Sequence, residues 1–296
     1  MAAGNDLKAL RARLLGKARE DIRERFSGKE GHVVNAVSAI DELDAVFNTL
    51  YERAREWYGF HFPELEREIK DPETYLRLIY RLGDRSEFSG ERLSGELEGN
   101  KEKAESIGKA ADSSVGSGAK EEDLAEIKLL ALNALNLKEE RAYLVKYIEN
   151  AMSGLSGNFT ELCGPVVGAR ILARGGSLKK LAMMPSSTIQ IIGAERALFQ
   201  AKKTGGKGPK HGIIYQHPLV KEASRDNKGK MARALAGKLS IALKEDYFGK
   251  GNIAKGLKEK LEARAIELGR AKKKPAVKNR GISRSLGHGG KGKTGR

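Results

Sequence analysis

Cysteine is almost missing from this sequence. Cys163 is the only one in 296 residues, so no disulfide can close within the chain, and thiolate-rich zinc or iron–sulfur sites are excluded. Long apolar runs are missing too. No stretch approaches the ~18 residues that would span a bilayer, and the start, "MAAGNDLKALRARLLGKAR", lacks the uninterrupted apolar core of a signal peptide. A soluble, cytosolic chain with no membrane partner is expected. The usual marks of catalysis are absent as well. His32, His61, His211, His217 and His288 are scattered, and His211 and His217, which share a segment, have no nearby carboxylate to complete a triad or metal site. There is no Gly-x-x-x-x-Gly-Lys-Ser/Thr loop and no strand-bound Gly-x-Gly-x-x-Gly, and "KTGGKGPK" lacks the following helix that makes such loops bind nucleotides. No enzyme activity, cofactor or metal is expected.

What is present is a lopsided charge. The net charge is +16, yet from Glu195 onward 27 Lys or Arg face 8 Asp or Glu, whereas 28 face 31 before it. The basic character belongs to one end of the molecule, and its natural partner is a polyanion bound through phosphate neutralisation and counterion release. No strongly amphipathic basic helix favours a membrane surface over nucleic acid. A hydrophobic fraction of 40% is enough for real cores.

The rest of the pattern is helical. Ala36, Ile40, Leu43, Phe47, Leu50, Ala54 and Trp57 follow heptad spacing, and Val145, Ile148, Met152 and Leu155 repeat it later. These runs predict antiparallel arms of one hairpin over residues 33–156. Residues 89–120, rich in Gly, Ser, Ala and charge and without a large aliphatic cluster, predict a tip of short helices and turns. An ordinary helical bundle accounts for such a region. The narrow stripe through Ile40, Leu43, Phe47, Leu50 and Trp57 can also be a dimer seam. After Gly157, short apolar pieces punctuated by Gly164-Pro165, Gly175-Gly176 and Pro185 predict a compact helical domain over 157–270. Within it "GPVVGARILARGGSLKKL" resembles a helix-hairpin-helix, although Gly-x-x-x-Gly-Ala more often serves close helix packing. Two further helices carry Lys and Arg opposite Leu235, Leu239 and Leu243, and opposite Ile253, Leu257, Leu261 and Leu268. Strand signal is limited to "GIIYQ" from Gly212. The tail over 271–296 is predicted to be basic and disordered.

The stretch "GAERALFQAKKTGGKGPKHGIIYQHP", 193–218, joins these themes. Gly193 can start a helix whose free N–H groups hold a phosphate or carbonyl oxygen, with Ala194 beside it. Arg196 can fork onto a phosphate or a guanine edge. Glu195 can accept from exocyclic base amines or orient Arg196, and a favourable dipole contact at the helix start accounts for it equally well. Phe199, with Ala197 and Leu198, can offer an apolar edge to a base or partner, or join the core. Lys202, Lys203, Lys207 and Lys210 lie on a glycine loop able to follow a backbone, and His211, Tyr215, Gln216 and His217 supply planar groups for bases. The alternative for Gln216 and His217 is burial at a Pro218-capped turn.

At these residues, together with "ELCGPVVGARILARGGSLKKLAMMP" and the upstream "HVVNAVSAIDELDAVFNTLYERAREWYGFHFPEL", the sequence closely resembles the Nop-domain family, in the form of the archaeal core protein of box C/D small ribonucleoprotein particles, from about residue 15 to 270. Eukaryotic members include nucleolar box C/D proteins and a spliceosomal factor, and "KHGIIYQHP" is more similar to the methylation-guide branch. The resemblance implies an all-α fold: a connecting helix over 1–32, a coiled-coil dimerisation domain over 33–156, a Nop domain over 157–270 and a basic tail. It implies a non-catalytic scaffold that binds box C/D guide RNA together with a small kink-turn-binding, ribosomal-like protein, and that forms a homodimer. The RNA-facing set it implies adds Gln200, Lys230 and Arg233 to the residues above. Methyl transfer then belongs to fibrillarin and S-adenosylmethionine. Location would be cytoplasmic in an archaeal-like cell and nucleolar in a eukaryotic one. Arg196 and Gln200 stand where the family has Lys and Arg, so one charge survives as Arg and one is lost. The resemblance starts near Met1, so fibrillarin is not expected to bind through this chain, whose room before it is smaller than a domain of roughly 100 residues. A helix-hairpin-helix DNA-binding protein, a spliceosomal-type Nop factor and an RNA-modifying enzyme are the competing readings.

Overall fold

The computed structural model describes residues 10–20, 28–97, 99–249 and 251–270. The tail at 271–296 and parts of the connecting helix over 1–32 lie outside them. Among the described residues every regular element is a helix, and no helix is long and apolar enough to cross a membrane. In chain order these are α1 over residues 10–20, α2 Lys29–Tyr58, α3 Leu65–Glu68, α4 Pro72–Arg81, α5 Gly90–Glu96, α6 Lys101–Asp112, α7 Glu121–Leu155, α8 Gly157–Cys163, α9 Pro165–Gly175, α10 Leu178–Met183, α11 Ser186–Ile191, α12 Glu195–Thr204, α13 Pro218–Lys221, α14 Lys228–Phe248 and α15 Ala254–Arg270.

Helices α2 and α7 pack as antiparallel arms. Val33, Val37 and Ile40 near the start of α2 share a core with Ile148 and Met152 near the end of α7. Phe47, Ala54 and Tyr58 share another with Leu124, Ile127 and Ala131 at the opposite ends. Midway, Arg141 Nε donates to Asp44 Oδ1 at 2.7 Å. The heptad stripe does not stay inside. A straight α-helix drifts by about 20° per heptad against a 3.5-residue repeat. Ile40 and Phe47 are accordingly buried, Leu43 and Leu50 half-buried, and Trp57 exposed, with Tyr58 taking the inward position. Two residues of the expected dimer seam, Ile40 and Phe47, are therefore covered by the chain's own α7 and cannot form an outer face.

The tip is more substantial than its composition implies. Phe62, Leu65, Tyr75, Leu76, Ile79, Phe88, Leu93 and Ile107 close a core over the end of the hairpin, with Phe62 and Phe88 edge to face at 5.3 Å. Each such side chain stabilises the fold by about 1.5–3 kcal/mol relative to an exposed one. Helix α4 begins where Asp71 accepts from the Thr74 N–H at 2.8 Å, with Pro72 in the first turn. Buried His61 stitches the tip together, its Nε2 facing the Arg85 N–H and its Nδ1 the Ala119 N–H, both at 3.2 Å. Burial, and next the Arg85 charge, hold its pKa below the usual histidine value.

The second core takes the near ends of α2 and α7 and adds α8 to α11 and α13 to α15. Leu235, Leu239 and Leu243 of α14 run through its centre, against Phe159, Ile171, Ile189 and Leu261. The two cores thus meet inside the hairpin, between Ile40 and Phe47, and the turn at Ser156 does not divide them. A polar hub locks the far side. Asp246 of α14 accepts from the N–H groups of Asn158 and Phe159 at the start of α8, and Asn158 Oδ1 accepts from the N–H groups of Ile253 and Ala254 at the start of α15. Cys163 lies in this core, where burial pushes its thiol far up and keeps it unreactive.

Candidate nucleic-acid interface

Between α11 and α13 the chain leaves the core and returns to the point it left. Ile213 N–H donates to Ile192 O at 2.8 Å, Gly212 N–H to Gln190 O at 2.9 Å and Gln190 Nε2 to Lys210 O at 2.7 Å. Two glycines make the crossing possible. Gly193 has φ +85°, and a Cβ at Gly212 would sit 1.9 Å from Ile192 O. Everything from Gly193 to Gly212 is an excursion held at its base. Its helix α12 buries no residue.

The excursion is a cationic surface. Arg196, Gln200, Lys202, Lys203, Lys207 and Lys210 are exposed. None of the salt bridges among the described residues involves its cations. Phe199 is 67% exposed, an apolar ring with no core role, while Leu198 is half-buried. The returning strand of the loop lies beside the first turn of α14, with Lys210 against Gly229. Lys230 and Arg233 project from that helix into solvent, extending the positive surface.

Several assignments change. Gly193 does not offer a free N–H, because it donates to Glu195 Oε1 at 2.7 Å; Glu195 is a local cap, and the first helical bond runs from Leu198 N–H to Ala194 O. His211 and Tyr215 stack on each other at 4.6 Å and 17°, and Lys228 Nζ lies 4.5 Å from the Tyr215 ring centre while donating to its hydroxyl at 2.9 Å. One face of Tyr215 is therefore taken by His211, and its hydroxyl by Lys228. The Lys228 bond lowers the Tyr215 pKa, while burial and then the Lys228 charge lower that of His211. His217 faces inward: Nδ1 accepts from Leu219 N–H at 3.2 Å, so Nε2 carries the proton and donates to Leu162 O at 3.0 Å. It caps α13, and burial lowers its pKa. Gln216 lies on a different face, where its Oε1 accepts from Arg170 Nη1 at 2.6 Å. "GIIYQ" is not a strand but a 3-10 turn, Ile213–Gln216, since the backbone must fold over directly after the crossing at Gly212.

The helix-hairpin-helix piece is α9, a left-handed Gly176 and α10. Its turn is occupied from within, as Glu30 Oε1 accepts from Leu178 N–H at 3.2 Å and Ser177 Oγ from Lys180 N–H. A carboxylate on that amide opposes a phosphate. Gly168 packs against Cys163, Met152 and Phe159, the close-packing use of the motif. Sequence reasoning missed Asp246 and Asn158 altogether. "SGN" at the start of α8 has the composition of a cap, but the partner of Asn158 is 88 positions away. Among the described residues no three His, Cys, Asp or Glu stand together as metal ligands would.

Comparison with known proteins gives this geometry its family. Nucleolar protein 58 of Neurospora crassa is 47% identical over 214 residues, covering 72% of this chain and 36% of that protein. An uncharacterized NOP5 family protein of Methanocaldococcus jannaschii is 42% identical over 254 residues, covering 86% of this chain and 61% of its own length. The chain thus spans between about a third and three fifths of these relatives. The crystal structure of a fibrillarin/Nop5p complex contains a chain 26% identical to this one, with a TM-score of 0.48, covering 88% of this chain and 78% of the other. The Nop family model, described as "snoRNA binding domain, fibrillarin", matches residues 39–267, from the first half of α2 to the last turn of α15, and the chain belongs to the Nop family.

Proposed function

We propose that this chain is a non-catalytic scaffold of box C/D guide ribonucleoprotein particles that holds kink-turn guide RNA together with a small kink-turn-binding protein. The observation that carries the reading is the excursion from Gly193 to Gly212, a clamped, cationic, Phe-bearing element that buries nothing. Its family's description as snoRNA-binding supports the same conclusion. Arg196 at the start of α12 takes a defined phosphate or base edge, and Phe199 contacts a base or the partner protein. Lys202, Lys203, Lys207 and Lys210 act through charge along the backbone. In the particle the 2′-O-methyl transfer is fibrillarin's, with S-adenosylmethionine, and this chain supplies position. Self-association runs along the edge where the heptad stripe drifts outward, through Leu43, Leu50 and Trp57, joined by exposed Val46. The particle is nucleolar in a eukaryotic cell, as the names of the eukaryotic relatives have it, and cytoplasmic in an archaeal one.

Gel shift with a box C/D RNA, with and without the kink-turn protein, tests the reading. A ternary complex that duplex DNA cannot displace is expected. Equal competition by duplex DNA would refute it.

A further inference from the structure

A cleft of about 460 Å³ opens where α2, α9 and the base of the excursion meet. Ser38 and Asp41 of α2 line one wall, Arg170 and Arg174 of α9 the other, and Gly193 and Gln216 the end. Arg170 is fixed there. Its Nε donates to Asp41 Oδ1 at 3.1 Å, its Nη2 to the same oxygen, and its Nη1 to Gln216 Oε1. That arrangement leaves Asp41 Oδ2 as an acceptor and Gln216 Nε2 as a donor on either side of a rigid guanidinium. Arg174, one turn further along α9, is exposed and in no salt bridge among the described residues.

We infer that this cleft receives a single unpaired base of the bound RNA. The inference rests on the RNA-scaffold reading and adds a second contact to it. Three features select the occupant. The volume falls in the range of small-molecule sites of about 300–1,000 Å³, enough for one nucleobase and too small for a duplex. The lining pairs apolar surface from Val34 and Ile213 with an acceptor and a donor flanking Arg170, which suits polar groups at different positions around a planar base. Arg174 stands at the mouth to take the phosphate of the same nucleotide. Gly193 belongs to both the cleft and the clamped excursion, so an RNA strand lying on the excursion has the cleft within reach.

The test uses the full chain with the kink-turn protein and a set of kink-turn RNAs in which one unpaired 2-aminopurine is moved along the stem beyond the kink. At one register, affinity should exceed that for the fully paired stem by about tenfold, the order contributed by one held base, with a change in 2-aminopurine fluorescence on binding. Ser38→Trp fills the cleft from an exposed position, and Arg174→Ala removes the phosphate contact. Each should abolish the preference and the fluorescence change while the thermal melt shows the fold retained. If every register binds like the paired stem, or if the preference survives Ser38→Trp, the cleft takes no base, although the scaffold reading stands. Absence of binding to any of the RNAs overturns both.

Discussion

Two segments leave the helical framework of this protein and come back, and they meet opposite fates. Residues 60–120 fold over the hairpin end and bury Phe62, Tyr75, Phe88 and Ile107. Residues 193–212 return to their own starting point and bury no helical residue. The first makes its stability from its own side chains. The second is positioned by backbone bonds from Gly212 and Ile213 to Gln190 and Ile192 and is left with cations and a phenyl ring facing outward. An element that contributes so little to packing is free to choose its residue types for a partner, and that contrast supports the proposed interface beyond what charge alone does.

The contrast is broken most strongly in the tip. Phe62→Ala should cost about 3–5 kcal/mol, the usual range for a buried aromatic truncated to Ala, read as a lower urea midpoint. A loss below about 1 kcal/mol would mean that the tip core is not as closed as described. Gly212→Ala comes next, because its Cβ would meet Ile192 O at 1.9 Å; overpacking of this kind costs about 1–3 kcal/mol. Its larger effect should be on RNA affinity, as the whole excursion loses its footing. An unchanged melt with unchanged affinity would contradict the clamp.

Acid separates the segments further. The pKa values of buried His61 in the tip and His217 beneath the interface are both lowered, so each is neutral in the fold and binds a proton more readily when unfolded. Their contribution is present above the unfolded value of about 6.5 and is lost as pH falls through it toward the folded value. Glu64, Asp71 and Asp84 also have lowered pKa values, but their loss comes in the carboxylate range below. Urea midpoints at pH 7.5 and 5.5 should therefore differ, with a smaller difference in the His61→Gln chain. The smallest stability effect belongs to the excursion. Phe199→Ala should stay within about 0.5 kcal/mol of the parent while weakening RNA binding, and a measurable loss of stability would place Phe199 in a core.

Much of this was readable in the sequence because it depended on periodicity and composition. The heptad runs announced α2 and α7, but spacing alone did not show the helical drift that buries Ile40 and Phe47, leaves Leu43 and Leu50 half-buried and exposes Trp57. The lysine-glycine loop and Arg196 were legible because nothing buries them. What escaped was set by contacts between distant positions. The tip core draws on residues spread between Phe47 and Ala134, with no long repeat to reveal it. Asp246 reaches back to α8, and the choice between RNA contact and burial for His217 depends on Leu162 O, 55 positions away. Glu195 shows the limit at short range, since its two readings differed by one hydrogen bond to Gly193.

The most direct measurement replaces residues 194–211 by a two-residue turn, which the Ile192 to Ile213 bond makes sterically simple, and compares the two chains side by side for thermal melting and for binding to a box C/D RNA carrying its kink-turn protein. The account predicts a melt close to that of the parent, with RNA affinity lost and its salt dependence flattened. Retained affinity with the parent's salt slope would contradict it.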